Sequence, residues 1–382
     1  MFKQKISRIG TNCAKWDEII EKNGNPLLIP LTVADMDFPV APEIMSEIIR
    51  AAAHGIYGYT NVSEKYLALS KKWIEDHYAY PAEKEWIVYC PRIIQAISLF
   101  IQNNTAVGDK IMVLTPLYDP IQSAVRINKR ELVTSSLVIK GRSYQIDFED
   151  FRAKIAGGVK MFIMVSPHNP TGRVWDEAEI RKMIEICREY HVLIFSDEVH
   201  ADFTWEKNFI SFGRFFDTYE NIIIGTSASK TFNIPGLEAS NIIIKNEKLR
   251  NELRLYLRQA GIHNPSYFCI PAVEAAYESG EEWLLLAKKA INDNRCFARN
   301  FFENELKGFK VMNSDGTFLL WVDYRESNLS EDELKNIMYH KANVVFSTGS
   351  DFGREGVGFI RINVALPQAL LKEALHRFKE SI

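Results

Sequence analysis

The chain has 382 residues, 47% of them hydrophobic and 25% charged, which excludes a disordered chain and leaves room for two or three domains with a sizeable core. Forty-six Lys and Arg against 49 Asp and Glu give a net charge of −3, so the basic footprint of a nucleic-acid-binding protein is absent. No apolar run approaches the ~18 residues that cross a bilayer, and no apolar stretch follows Met1-Phe2-Lys3-Gln4-Lys5, so neither a membrane partner nor a secretory signal is expected.

Taken in chain order, the middle of the sequence alternates short apolar runs with helical patterns. Lys110–Leu114, Met161–Val165, Val192–Phe195 and Ile222–Ile224 are each short and apolar, as strands buried on both faces are. Between the second and third, Ile180, Met183, Ile184 and Cys187 recur at helical spacing behind Asp176, a natural N-cap. Strand, helix, strand predicts an α/β fold with a parallel sheet covered by helices. Ser240–Lys245 follows at short range and is expected as an antiparallel strand of that sheet. The C-terminal part changes character. Leu319–Asp323 and Gly358–Asn363 read as strands, Glu331–Lys341 as a helix between them, and Leu371, Ala374, Leu375 and Phe378 as a last amphipathic helix after Pro367. The expected division is an N-terminal segment 1–40 packing on the small domain, a large domain 41–280 and a small α+β domain 281–382.

Five cysteines, Cys13, Cys90, Cys187, Cys269 and Cys296, form no C-x-x-C pair. An odd, scattered set argues against a disulfide framework or zinc cluster, so all five are expected to be structural and the compartment to be a reducing cytoplasm. The H-E-x-x-H and Gly-x-x-x-x-Gly-Lys motifs are absent, and Gly353, Gly356 and Gly358 do not have dinucleotide-loop spacing.

Ligands of parallel sheets sit beyond the carboxyl ends of the strands. There the sequence offers Tyr118 after the first run, Asn169 in Ser166-Pro-His-Asn-Pro-Thr-Gly172 after the second, Asp197 after the third and Lys230 after the fourth. An aromatic ring, an amide, a carboxylate and an amine on one edge suit pyridoxal phosphate. That cofactor wants a lysine for its aldehyde, a carboxylate for its pyridine nitrogen, a ring on its face and a donor to its ring oxygen. Ser227 and Ser229 flank the lysine and offer hydroxyls for the phosphate.

The segments S-D-E-V-H-A-D, S-P-H-N-P-T-G-R-V-W and S-A-S-K-T-F-N-I-P-G-L resemble the fold-type-I pyridoxal-phosphate enzymes, the class I/II aminotransferase superfamily. V-A-D-M-D-F-P at Val33–Pro39 and the H-A-D after Asp-Glu-Val point within it to the MalY/PatB-type branch of carbon–sulfur β-lyases, cystathionine β-lyases included. The resemblance runs from Val33 to about Ala365. It implies a large domain with a mostly parallel seven-stranded sheet and a smaller C-terminal domain.

Carried over by residue, the resemblance makes Lys230 the Schiff-base lysine and later the base at the substrate Cα, rather than a solvated surface lysine. Asp197 becomes the partner of the pyridine nitrogen, where a helix N-cap is the plain alternative. Asn169 matches the amide on the ring oxygen, against a turn residue before Pro170. Tyr118 matches the stacking ring, against a core aromatic. His200 stands where many aminotransferases place a tyrosine, against a buried structural histidine. Arg361, in R-I-N-V-A, resembles the clamp on the substrate α-carboxylate, against a strand-edge salt bridge. Tyr59, in Y-G-Y-T, resembles a tyrosine given to the neighbouring subunit's cofactor phosphate, which implies a homodimer; the alternative is turn packing.

Two departures from the superfamily pattern stand out. Position 238, where many aminotransferases hold the phosphate with arginine, is Glu238, and the lyase branch often lacks that arginine too. Cys90-Pro91-Arg92-Ile93-Ile94 replaces a usual glycine, so Arg92 and the Ile93 N–H at a helix start are candidates for the phosphate, with a solvent-facing Arg92 as the alternative. The implied reaction is cleavage of L-cystathionine or a related cysteine S-conjugate to pyruvate, ammonia and a thiol. Transamination uses the same residues and is the runner-up, and a scaffold with little turnover is the reading from another class.

Overall fold

The computed structural model describes all 382 residues. Its main sheet has seven strands: β1 (Ile87–Cys90), β2 (Lys110–Thr115), β3 (Glu131–Ser136), β4 (Val159–Val165), β5 (Leu193–Asp197), β6 (Ile222–Thr226) and β7 (Ser240–Ile243). They lie in the order β1-β7-β6-β5-β4-β2-β3. Strands β2 to β6 run parallel, and β7 is antiparallel to both of its neighbours. The four central apolar runs are therefore strands, and the expected antiparallel strand is present, ending at Ile243 rather than Lys245.

Their unbroken apolarity has a packing cause. Met112, Leu114, Phe162, Met164, Ile194 and Ile222 face one hydrophobic cluster, while Ile111, Val113, Met161, Ile163, Phe195 and Ile223 face another. Alternation persists, but both faces are covered, so no polar phase appears in the sequence. Helix α1 (Ile93–Asn104) covers one face, and α2 (Glu177–Glu189) lies on the other. The latter opens with the expected Asp176: its carboxylate accepts from the Glu179 N–H at 2.9 Å, and the Glu179 carboxylate accepts from the Asp176 N–H at 2.9 Å.

Beyond β7 the long helix α3 (Glu281–Glu305) leads to a second, antiparallel sheet of β8 (Lys310–Val311), β9 (Leu319–Asp323), β10 (Ser347–Thr348) and β11 (Phe359–Asn363), ordered β8-β9-β11-β10. The helix expected over 331–341 begins at Glu331, but its second half, Ile337–Ala342, widens into a π-helix. Helix α4 (Gln368–Glu380) closes the chain as expected. Ile29 and Pro30 pair in parallel with Val344 and Val345, so the N-terminal segment adds backbone hydrogen bonds to the C-terminal part.

All five cysteines are free, and four are buried. Cys296 departs from expectation: it is exposed on α3, so packing does not account for it. No helix is long and apolar enough to cross a membrane.

Candidate active site

The carboxyl ends of the parallel strands open into a cavity of about 240 Å³ whose lining includes Tyr118, Asn169, Asp197, His200, Lys230 and Arg361. Five of these come from loops or strand ends of the main sheet. Arg361 comes from β11 and closes the cavity from the second sheet. A further wall is Thr32, Val33 and Ala34 from the N-terminal segment.

Asp197 ends β5, with Val165 on one side and Gly225 on the other. Its Oδ1 accepts from the Val199 N–H at 3.2 Å. Burial pushes its carboxyl up to about 6. No ion pair is formed by Asp197, and the charge of Lys230 opposes the shift only in part.

Lys230 sits in the short helix Ala228–Thr231 directly after β6. Its Nζ donates to the Ala34 carbonyl at 2.7 Å. Burial lowers its pKa, opposed by the charges of Asp35 and Asp197. Ser227 caps this helix: its hydroxyl accepts from the Ser229 N–H at 3.0 Å and donates to the Ala239 carbonyl at 2.6 Å. The Thr231 hydroxyl donates to Asp202 Oδ2 at 2.5 Å, and the Tyr78 hydroxyl reaches the same oxygen at 3.1 Å. Asp202 thus fixes the turn that carries Lys230.

Arg361 is buried without an anionic partner. Its Nη1 donates to Asn169 Oδ1 at 3.0 Å, its Nη2 to the Thr32 carbonyl at 2.9 Å and to Ser347 Oγ at 3.3 Å, and its Nε is left unpaired. Burial draws it down to about 10. The strand-edge salt bridge weighed as the alternative is not formed. Asn169 spends its oxygen on Arg361, which leaves its Nδ2 to donate elsewhere. The Tyr118 N–H donates to the Asn169 carbonyl at 3.3 Å, tying the aromatic and the amide together. His200 is buried, with Nδ1 unpaired, and burial holds it down to about 3, helped by the charges of Lys230 and Arg361. It is neutral.

The phosphate candidates lie outside this lining. Ile93 begins α1 beside Gly225: a Cβ on Gly225 would meet Ile93 Cγ2 at 2.8 Å, so glycine is what lets the helix start approach the end of β6. Arg92 pairs with Glu238 across the two departures from the superfamily pattern, and both are largely exposed. The charge of Arg92 is matched there in this structure. Tyr59 is 98% exposed, so turn packing does not hold it.

The segment Thr32–Phe38 is pinned by residues to which the sequence reading gave no role. Asn363 Nδ2 donates to the carbonyls of Val33 and Asp35, each at 2.6 Å. Asn233 Nδ2 donates to those of Met36 at 3.0 Å and Phe38 at 2.8 Å. Arg8 pairs with Asp35 at 2.6 Å and Asp37 at 2.8 Å, and the fully buried Lys15 with Asp37 at 2.7 Å.

An unpaired carboxylate, a desolvated amine, an amide with a free N–H₂ and a buried guanidinium without an anion fit pyridoxal phosphate and an amino-acid carboxylate. Residues 27–378 match the family described as Aminotransferase class I and II. The cystathionine beta-lyase PatB of Bacillus subtilis (strain 168) is 34% identical over 385 residues, covering 100% of this chain and 99% of PatB. A PLP-bound putative aminotransferase from Clostridium difficile 630 superposes with a TM-score of 0.96 at 36% identity, covering 100% of this chain and 99% of that one. The PLP-bound C–S lyase from Staphylococcus hominis superposes at 0.92 with 32% identity, covering 100% and 97%.

Proposed function

The chain belongs to the class I and II aminotransferase family, and we propose that within it the chain is a pyridoxal-phosphate-dependent carbon–sulfur β-lyase acting on L-cystathionine or a related cysteine S-conjugate. Pyridoxal phosphate, when bound, supplies an aldehyde that condenses with amines and a ring that takes up the electrons of a deprotonated Cα. Lys230 is the amine for that aldehyde and, once released, the base that takes the Cα proton; its burial favours the neutral form such a base needs. Asp197 holds a proton on the pyridine nitrogen, and that cation answers its own buried charge. Asn169 Nδ2 donates to the ring oxygen, Tyr118 offers its ring as the stacking face, and His200, whose Nδ1 is unpaired, lines the same cavity. Arg361 clamps the substrate carboxylate through paired N–H groups. Ser227, Ser229 and the Ile93 N–H are assigned to the phosphate end, with Arg92 joining them by exchanging its pairing with Glu238 for the phosphate.

One observation carries the choice of reaction: identity to a cystathionine beta-lyase over the whole chain. Aminotransfer is the second reading, favoured by the likeness to the putative aminotransferase from Clostridium difficile 630 and served by the same residues. Holoenzyme given L-cystathionine without any keto acid tests both. Sustained pyruvate release establishes the lyase; a single turnover that stops until a keto acid is added establishes the transaminase.

Tyr59, with exposed Ile56 and Tyr57 beside it, is proposed to serve the second site of a homodimer. We also read residues 1–40 as the segment that docks on the small domain 281–382, the large domain being 41–280; the pairing of Ile29 and Pro30 with Val344 and Val345 supports this. Unpaired cysteines suit a cytoplasmic setting.

A further inference from the structure

A second cleft, of about 970 Å³, lies outside the active site. Its walls are Ser143–Gln145, Thr204–Lys207, one face of α3 from Lys288 to Arg299, and the loop Asn313–Asp315. Six cations line it, Arg173, Lys207, Lys288, Lys289, Arg295 and Arg299, against the two carboxylates Glu206 and Asp315. With the partners just outside the lining, Glu179, Asp293 and Glu303, included, the group keeps a small positive excess, against a net −3 for the whole chain.

Four of the six have carboxylate partners. Arg173 meets Glu179 at 2.6 Å, Lys207 meets Asp315 at 3.0 Å, Lys289 meets Asp293 at 2.8 Å and Arg299 meets Glu303 at 4.0 Å. Arg295 and Lys288 have none. The Arg295 guanidinium lies 4.3 Å over the Trp205 ring, its Nη2 donates to the Ser314 carbonyl at 2.6 Å and its Nη1 to Asn292 Oδ1 at 2.9 Å. Its Nε is buried and unpaired. Lys288 Nζ donates only to the Asp202 carbonyl, at 2.8 Å. Burial holds both below their usual pKa, Arg295 at about 10. Arg295 is in no ion pair, although the wall carboxylates Glu206 and Asp315 act on it at longer range, and with Lys288 it gives this concave polar wall its excess of positive charge.

We propose that this cleft is a binding site for a small polyanion, a molecule bearing two or more phosphate or carboxylate groups, read by Arg295 and Lys288 with Lys289 and Arg299 at the rim. The site goes beyond the lyase reading and does not depend on it. Its occupant is linked to the active site by two short paths. Lys288 holds the Asp202 backbone, and the Asp202 carboxylate holds Thr231, next to Lys230. The Gly316 N–H, one residue past the Asn313–Asp315 wall, donates to the Gly172 carbonyl at 2.8 Å, in the loop that carries Asn169.

The test uses holoenzyme saturated with cofactor, so that the cofactor's phosphate position is filled. Tripolyphosphate and citrate are titrated separately by calorimetry at low ionic strength. Cys296, which lines the cleft and is the one exposed cysteine, is followed by its rate of alkylation with neutral iodoacetamide. Saturable binding of one anion per chain, slowed Cys296 alkylation, and a loss of affinity of about tenfold or more in Arg295→Gln are expected, as for removal of a charge-assisted hydrogen bond. The rim variant Lys289→Gln/Arg299→Gln, outside the core, should weaken binding about threefold or more and keeps the test valid if Arg295→Gln does not fold. Binding of tripolyphosphate alone assigns a phosphate ligand, citrate alone a polycarboxylate, and both a site that reads charge. Absence of saturable binding by either anion, or affinity and Cys296 protection unchanged in the variants, overturns the proposal.

Discussion

Arg361 Nη1 donates to Asn169 Oδ1 at 3.0 Å across 192 positions of the chain. The bond joins the second sheet to the end of β4 and turns the Asn169 amide so that its N–H₂ is free. One residue proposed for the substrate therefore orients one proposed for the cofactor. Arg361→Lys keeps the charge but loses the planar fork. We expect KM for L-cystathionine to rise about 30-fold or more, in line with ~2 kcal/mol for a paired charge-assisted contact. Because Asn169 loses its orienting donor, kcat should fall as well. Steady-state kinetics with kcat and KM resolved checks this; a KM change alone would separate the two roles.

Cofactor affinity should depend on pH through Asp197. Burial raises its carboxyl to about 6 in the free protein, whereas a protonated pyridine nitrogen requires the anion. Below that value a proton must leave before the cofactor's cation can be matched. The expected result is a loss of affinity of about tenfold per pH unit below pH ~6, measured by titrating cofactor into apoprotein. Asp197→Asn should bind more weakly at neutral pH and lose this dependence.

Stability of the apoprotein should vary little between pH 5 and 7, because two opposed pairs of buried groups offset each other. His168 and His200 are held down to about 3 by burial, so their contribution is present above pH ~6.5 and is lost as pH falls. Asp197 and Glu198 are pushed up to about 6 and about 7 by burial. Theirs is present below pH ~4 and is lost as pH rises. His168→Gln removes one member of the first pair. The variant should then lose stability as pH rises from 5 to 7, by up to ~1.4 kcal/mol per unit. Urea midpoints at several pH values read the slope, and an unchanged flat profile would reject the account.

What the sequence disclosed follows from range. The strands of the large sheet were legible because burial on both faces leaves continuous apolar runs, and the residues after them were legible because such sheets bind ligands at that end. The N-cap Asp176 of α2 was legible because it is local, while the return bond from Glu179 that completes a capping box came with the structure. Arg361 was found only through its resemblance, since nothing near it in sequence shows that it leaves β11 to meet Thr32 and Asn169. Asp202 stood within the quoted H-A-D, but its bond to Thr231 joins positions 29 apart. The pairing of Arg92 with Glu238 spans 146 positions; each was noticed as a departure, and only the fold makes them partners. The π-helix at Ile337–Ala342 has the composition of an ordinary helix and no local mark.

Lys15 gives a prediction that separates holding the active-site wall from doing chemistry. Its amine is buried between Asp37 at 2.7 Å and Asp35 at 3.6 Å, and the Trp16 indole N–H shares Asp37 at 3.0 Å. These carboxylates belong to the bent segment whose Ala34 carbonyl accepts from Lys230. Lys15→Met leaves the buried Asp37 with Arg8 as its remaining cation and should cost about 2–3 kcal/mol. Replacing the pair, in Lys15→Met/Asp37→Leu, removes the under-compensated charge and should recover part of that loss, although the Arg8 and Trp16 contacts to Asp37 go with it. Restored stability does not by itself restore the wall. If the ion cluster positions Ala34 against Lys230, the double variant should unfold at a higher urea concentration than Lys15→Met yet turn over L-cystathionine about tenfold more slowly than wild type, a loss of the kind misplacement at a distance produces. Recovery of both together would show that Lys15 and Asp37 serve stability alone.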